Sequence, residues 1–188
     1  MIESNGEYFQ LRTAVPNDVG AVMAIERQSF IPRIQEQEVV FSERISAFPH
    51  GFLLLERENG AAAGYFCSEL WAAPAYGAAA FSLGHAISES HSPDGTVLYV
   101  SSMALDSDLR GRGLGAQLFA QSLRAVLAAC PQVRLMQLVV NEAWRGAKAI
   151  YERAGFRETA RLAGFFPAEQ DGVHTCGIVM DCSRECTR

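Results

Sequence analysis

The run Arg110-Gly111-Arg112-Gly113-Leu114-Gly115-Ala116 holds the densest chemistry in the sequence. Glycines at alternate positions let successive backbone N–H groups face outward with no Cβ in the way, and a helix starting there adds a partial positive charge. Such a loop cradles a pyrophosphate, and Arg110 and Arg112 can add charge-assisted contacts to it. The same glycines also suit a plain tight connection between a strand and a helix. Gly111, Gly113 and Ala116 spell the GxGxxA of a dinucleotide fold, but about a hundred residues with several antiparallel-looking strands precede them, and only one βαβ unit is visible. The Gly-Lys-Ser/Thr ending of a P-loop is missing from the sequence.

The flanking sequence supplies the strand and helix that this loop requires. Thr96 to Leu105 is apolar and β-favouring, and it ends in the polar turn Asp106-Ser107-Asp108. Leu114, Leu118, Leu123, Val126, Leu127 and Cys130 then mark one face of a helix that Pro131 ends. Upstream, Tyr8 to Val15 reads as a strand. Pro16-Asn17-Asp18 follows as turn and cap, and Val19 to Phe30 as a helix. Gln35 to Phe48 predicts a second helix, and Phe52 to Glu58 with Ala61 to Leu70 a hairpin around Asn59-Gly60. Residues 72–95, rich in Ala, Gly, Ser and Pro, read as an insertion or lid with a short helix within Phe81 to Glu89. Downstream, Arg134 to Val140 reads as a continuous apolar strand and Ala143 to Ala154 as a helix closed by Gly155. Phe156 to Phe166 and Val173 to Met180 are the last two strands. The order is βααβββαβαββ, with seven strands.

Composition narrows the classes. A chain of 188 residues fits one domain, here 1–188, and 49% hydrophobic with 20% charged residues is ordinary for a globular protein. The longest apolar run, Gly51 to Leu55, is far short of the ~20 residues of a membrane helix, and Met1 to Gln10 has no secretory pattern. The expectation is a cytoplasmic protein with no membrane partner. Five cysteines with no CxxC pair point to reduced thiols and no metal. A net charge of -5 provides no footprint for nucleic acid, while a mildly acidic surface tolerates a cationic amine.

Arg110-Gly111-Arg112-Gly113-Leu114-Gly115 resembles the (Q/R)xxGx(G/A) segment with which GNAT-superfamily acetyltransferases hold the pyrophosphate of CoA. Asn141, Ala147, Ala149, Tyr151 and Gly155-Phe156 are similar to that superfamily's second signature, an Asn at a strand end followed by a helix reading AxxxYxxxGF. The resemblance covers roughly residues 7 to 181. It implies an α/β GNAT fold, with a mixed, mostly antiparallel sheet of about seven strands splayed between the fourth and fifth and helices on both faces. Ile25-Glu26-Arg27-Gln28-Ser29-Phe30 and Leu98 to Leu105 look most like the arylalkylamine N-acetyltransferase branch. That branch carries two histidines where this chain has Tyr99 and Ser101.

What the resemblance implies is acetyl transfer from acetyl-CoA, as co-substrate, to a primary amine, and an arylalkylamine-like amine for that branch. Arg110 to Ala116 would bind pyrophosphate, and Asn141 with the backbone of Met103, Ala104 and Leu105 the pantetheine arm. Tyr151 matches the tyrosine beside the CoA sulfur. With a reference pKa of about 10 against about 8.5 for a thiol, it would act mainly as a hydrogen-bond donor to the leaving thiolate. A Tyr or Ser is a poor base at neutral pH, so Glu26 and Glu69 are the candidates to accept the amine's proton; local pairing is the bland role for each. His85 and His91 fall in the insertion, where a surface role is the ordinary one, and His174 reads as a packed strand residue. Trp71 beside the insertion could line an aromatic pocket. An acetyltransferase of protein N-termini or lysine side chains fits the same signatures, as does a non-catalytic CoA-binding sensor, and the partner is a small amine or a peptide. A monomer or a homodimer is expected.

Overall fold

Alternation along the central hairpin sets the layers. Leu53 and Phe66 face one side, packing with Phe119, Leu123 and Val126, while Leu54, Tyr65 and Cys67 face the other, packing with Val22, Ile25, Phe41 and Ile45. Both faces are therefore apolar and both carry helices.

The computed structural model describes residues 1–167 and 172–187. In chain order the elements are β1 (Ile2–Ser4), β2 (Glu7–Thr13), α1 (Val19–Ser29), α2 (Glu38–Ala47), β3 (Phe52–Arg57), β4 (Ala62–Trp71), α3 (Ile87–Ser90), β5 (Val97–Leu105), α4 (Leu114–Ala129), β6 (Leu135–Asn141), α5 (Arg145–Arg153), β7 (Arg157–Phe166) and β8 (Thr175–Ser183). They form an eight-stranded sheet ordered β1-β2-β3-β4-β5-β6-β8-β7. Among the described residues only β5 and β6 pair in parallel; every other neighbouring pair is antiparallel. The eighth strand is β1, whose three residues are too short to show alternation in sequence. It pairs with β2 across Asn5-Gly6, both at positive φ, and buries Ile2.

The sheet opens at the parallel pair. Pairing runs from Val97–Leu135 to Val100–Leu138 and stops, although β5 continues to Leu105 and β6 to Asn141. On its other edge, β5 pairs Ser102 with Cys67 and Val100 with Ser68, so Ser101 is an extra residue, a β-bulge. A bulge kinks a strand and raises its local twist, which turns the end of β5 away from β6.

The insertion is not one helix over 81 to 89. A short 3-10 turn (Ala78–Phe81) and the single-turn α3 flank Gly84, whose φ of +70° interrupts any continuous helix. The segment is tied down along its length. Ala75 N–H donates to Gln137 Oε1 at 2.9 Å, Tyr76 O–H to Asp181 Oδ2 at 3.0 Å, and Leu70 N–H to His91 Nδ1 at 3.1 Å. Phe81 is buried against Trp71 and Tyr99, whose rings stack at 4.1 Å. His174 is exposed just before β8 instead of packed on a strand.

Among the described residues no helix is long and apolar enough to cross a membrane, and no group of three metal-ligating side chains forms. Cys67, Cys130 and Cys176 are free thiols; Cys186 lies outside the side chains described.

Candidate active site

The splay leaves a cavity of about 740 Å³ that reaches from the glycine loop, between β5 and β6, to the insertion. A cavity of this size suits a small-molecule or cofactor site. On the loop side, Gly113 caps α4 at φ +77°, a left-handed conformation costly to any residue with a Cβ. No side chain caps α4, so the N–H groups of its first turn are open donors at the positive end of a 16-residue helix. Arg110 reaches across to α1, donating to Ser29 Oγ at 2.8 Å and lining the cavity.

Tyr151 of α5 is half-buried against Phe119, with ring centroids 4.9 Å apart, and lines the same cavity. Burial pushes its pKa up to about 12. Its hydroxyl makes no hydrogen bond among the described residues, which leaves a protonated donor facing the cavity.

Two carboxylates sit on the α1 and α2 face. Glu26 is 1% exposed. Its Oε1 accepts the Glu36 backbone N–H at 2.9 Å, and its Oε2 accepts the Tyr65 hydroxyl, which is itself 2.8 Å from Ser102 Oγ. Burial raises the Glu26 pKa above the usual carboxylate range, only partly offset by the hydrogen bonds from Tyr65 and the Glu36 N–H. Glu69 on β4 is fully buried, with His85 Nε2 at 2.5 Å, the Ser90 hydroxyl on its other oxygen and Arg44 at 4.0 Å. Burial opposes its charge, but the His85 and Ser90 hydrogen bonds and the two cations outweigh it and hold its pKa low. His85 Nδ1 lies 2.8 Å from the Ser82 carbonyl, and Nε2 lies beside both Glu69 Oε1 and, at 3.3 Å, Arg44 Nη2. The bond to Glu69, stronger than the effect of burial, raises the imidazole pKa.

Of the residues nominated from sequence, Met103, Ala104, Leu105, Arg110, Gly111, Gly113, Gly115, Ala116, Tyr151 and Glu26 all line this one cavity. Four do not. Leu114 is buried beside Leu109 and Leu118, so only its N–H faces the loop; Arg112 is held by Glu7 at 2.9 Å; and Glu69 is enclosed in its ion pairs. Asn141 turns its Oδ1 to the Ala143 N–H at 2.9 Å, shaping the turn into α5. Sequence reasoning passed over Glu36, Tyr65 and Ser102. Tyr65 and Ser102 were open to notice as hydroxyls set within otherwise apolar strands, where a buried hydroxyl needs a partner. The pairing of Glu36 with Arg44 across a helix start has no local signature.

Comparison with known proteins agrees with this architecture. No curated protein matches the sequence. Among solved structures, the loading GNATL domain of CurA from Lyngbya majuscula superposes with a TM-score of 0.78 at 18% identity, over 94% of this chain and 98% of that one. GphF GNAT-like decarboxylase in complex with isobutyryl-CoA gives 0.72 at 19%, over 93% and 98%. The ribosomal-protein-S18-alanine N-acetyltransferase from Escherichia coli gives 0.69 at 19%, over 94% of each chain. At these identities the likeness is one of fold. The acetyltransferase (GNAT) domain family matches residues 25–166, which run from the end of the first helix through the splay, the glycine loop and the tyrosine helix. The chain therefore belongs to the GNAT acetyltransferases, enzymes whose co-substrate is acetyl-CoA.

Proposed function

We propose that this chain, acting as a single domain, transfers the acetyl group of acetyl-CoA to the primary amine of a small acceptor with an apolar body, of the arylalkylamine kind. The observation that carries this reading is the apolar lining of the cavity beside the insertion. Phe81 and Leu83 of the insertion, Phe165 and Phe166 of β7, and Phe30 and Ile34 all line it, an apolar surface that suits the body of a small amine. Glu26 and Glu36 are the acidic side chains of that region.

The donor end fits CoA by the chemistry of its groups. Uncapped N–H groups from Gly111 to Ala116 and the Arg110 guanidinium receive the pyrophosphate. The edge of β5 from Met103 to Leu105, where pairing with β6 has stopped, offers main-chain groups to the pantetheine arm and an N–H to the thioester oxygen. Asn141, off the cavity wall, shapes the turn into α5, the helix that carries Tyr151.

In the reaction the amine nitrogen forms the amide bond as the thioester C–S bond breaks, a proton leaves the amine, and the departing sulfur gains one. Tyr151, kept protonated by burial, donates a hydrogen bond that strengthens as charge builds on sulfur. Glu26 accepts the amine's proton, its raised pKa bringing it closer to the pH at which a general base works best. Glu69 serves the acceptor wall by fixing His85 and Ser90 of the insertion.

The test is thiol release from acetyl-CoA across arylalkylamines, polyamines, amino acids and N-terminal peptides, with CoA binding followed in parallel. Turnover of 2-phenylethylamine or a near relative supports the reading. Turnover confined to peptides would move the chain to the protein-acetylating alternative, and tight CoA binding without any turnover would make it a sensor.

A further inference from the structure

We infer that Ser102 and Tyr65 form a two-hydroxyl relay that carries the acceptor's proton from the cavity to Glu26. The inference rests on the amine-acetylating reading above. Three features of the site point to it.

Glu26 is poorly placed to take a proton directly. It is 1% exposed, Oε1 is committed to the Glu36 N–H at 2.9 Å, and Oε2 to the Tyr65 hydroxyl. Ser102, by contrast, is half-buried, lines the cavity, and directly precedes Met103 on the β5 edge that would hold the thioester. Tyr65 is fully buried and spans the two, with its oxygen 2.8 Å from Ser102 Oγ and its hydrogen on Glu26. Because the Tyr65 hydroxyl donates to the carboxylate, Ser102 must donate to Tyr65, which leaves Ser102 Oγ, on a residue that lines the cavity, able to accept.

The transfer balances. The amine N–H breaks as an O–H forms on Ser102, whose own proton passes to Tyr65 Oη, whose proton in turn passes to Glu26 Oε2. Each hydroxyl ends neutral, and the carboxylate ends protonated. No charge has to rest on Tyr65, whose pKa burial lifts far above its usual value. Ser102 is thus a catalytic residue that touches the substrate, and Tyr65 a positioning and relay residue behind it.

The charged and titratable groups that set the proton affinity of Glu26 come from each packed element. They are Tyr65 from β4, Glu36 from the segment before α2, and Arg44 from α2. Glu36 disfavours the charged carboxylate, while Arg44 and the two hydrogen bonds favour it.

The experiment measures kcat and KM for acetyl-CoA and 2-phenylethylamine across pH 5 to 10 (about the range that titrates a raised carboxylate and an amine). The wild type is compared with Ser102→Ala, Tyr65→Phe and the double variant. Ser102→Ala removes one oxygen and keeps the strand, so its reading stands even if Tyr65→Phe perturbs folding. The relay predicts that each single variant loses at least about tenfold in kcat, with the KM for acetyl-CoA unchanged, and that the double variant is no worse than the worse single. It also predicts that the acid limb of the kcat profile moves up by a pH unit or more, toward the amine's own titration, because the path to Glu26 is cut. Variants that keep the wild-type acid limb, or kcat within twofold of the wild type, would overturn the relay and leave the acetyltransferase reading standing. Absence of wild-type turnover with 2-phenylethylamine and with every other arylalkylamine tried would overturn both.

Discussion

His85 Nε2 stands 2.5 Å from Glu69 Oε1, and this contact ties the insertion at 72–95 to the buried face of β4. Glu69 has no exposed surface and His85 is 15% exposed, so the pair lies in a region of weak screening. Arg44, 4.0 Å from Glu69 and 3.2 Å from Glu36, joins the same network. The insertion's middle, which carries Phe81 and Leu83, is thereby held over the cavity.

Removing the imidazole leaves Glu69 with Ser90 and the more distant Arg44. His85→Ala is expected to lower stability by about 2 kcal/mol near neutral pH. The His85 pKa is raised from its ordinary 6.5, so its contribution is complete below that value and fades as pH rises through the folded one. The Glu69 pKa is lowered from 4.5, so its contribution is complete above that value and fades as pH falls. Urea unfolding of wild type and variant should therefore show the largest difference at mildly acidic to neutral pH and a smaller one at pH ~9.5. A difference that grows with pH would contradict this assignment.

Tyr151→Phe removes one cavity-facing hydroxyl and leaves the ring against Phe119. Turnover should fall by roughly tenfold to a hundredfold while the dissociation constant for CoA changes less than about twofold. Because burial holds the Tyr151 pKa at about 12, the wild type should show no loss of rate from its ionisation below pH 10 or so. Steady-state kinetics beside CoA titration separates the two parameters.

Arg110 and Arg112 differ although they are two residues apart. Arg110 lines the cavity, whereas Arg112 is held by Glu7. Arg110→Ala should weaken CoA binding about tenfold and flatten its salt dependence, and Arg112→Ala should do so by about threefold or less. Equal losses from both would indicate that the ion pair to Glu7 opens when CoA binds. Gly113→Ala meets no atom within 4 Å but forces a Cβ onto a φ of +77°, so thermal unfolding should report a loss of about 1 to 2 kcal/mol.

Leu83 is 48% exposed yet lines the acceptor end of the cavity, which makes it a wall that can be trimmed at little cost to folding. Leu83→Ala should raise the KM for an apolar amine by about three- to tenfold and leave acetyl-CoA untouched. Phe81→Ala is a poorer probe, because its ring is buried against Trp71 and Tyr99 and its loss costs about 3 kcal/mol of stability. Initial rates with both substrates varied decide the outcome.

Much of this molecule is local in origin and legible in the chain itself. The glycine loop, the helix after it and the strand before it were readable because each depends on neighbouring residues: positive φ at Gly113, an apolar stripe from Leu114 to Leu127, and β-favouring residues from Val97 to Leu105. Tyr151 drew notice only through the resemblance of Ala147, Tyr151 and Gly155-Phe156 to the GNAT signature. What only the tertiary structure decided lies between elements distant in sequence. Ser101 became a bulge through pairing with β4, and that bulge opens the sheet at Val100. Glu26 and Glu69 looked alike as candidate bases, yet one is joined to Tyr65, 39 residues away, and lines the cavity, while the other is enclosed by His85, Ser90 and Arg44. The proton affinity and reach of a carboxylate depend on burial and on partners that only packing brings together, so residue type and spacing alone could not separate the two.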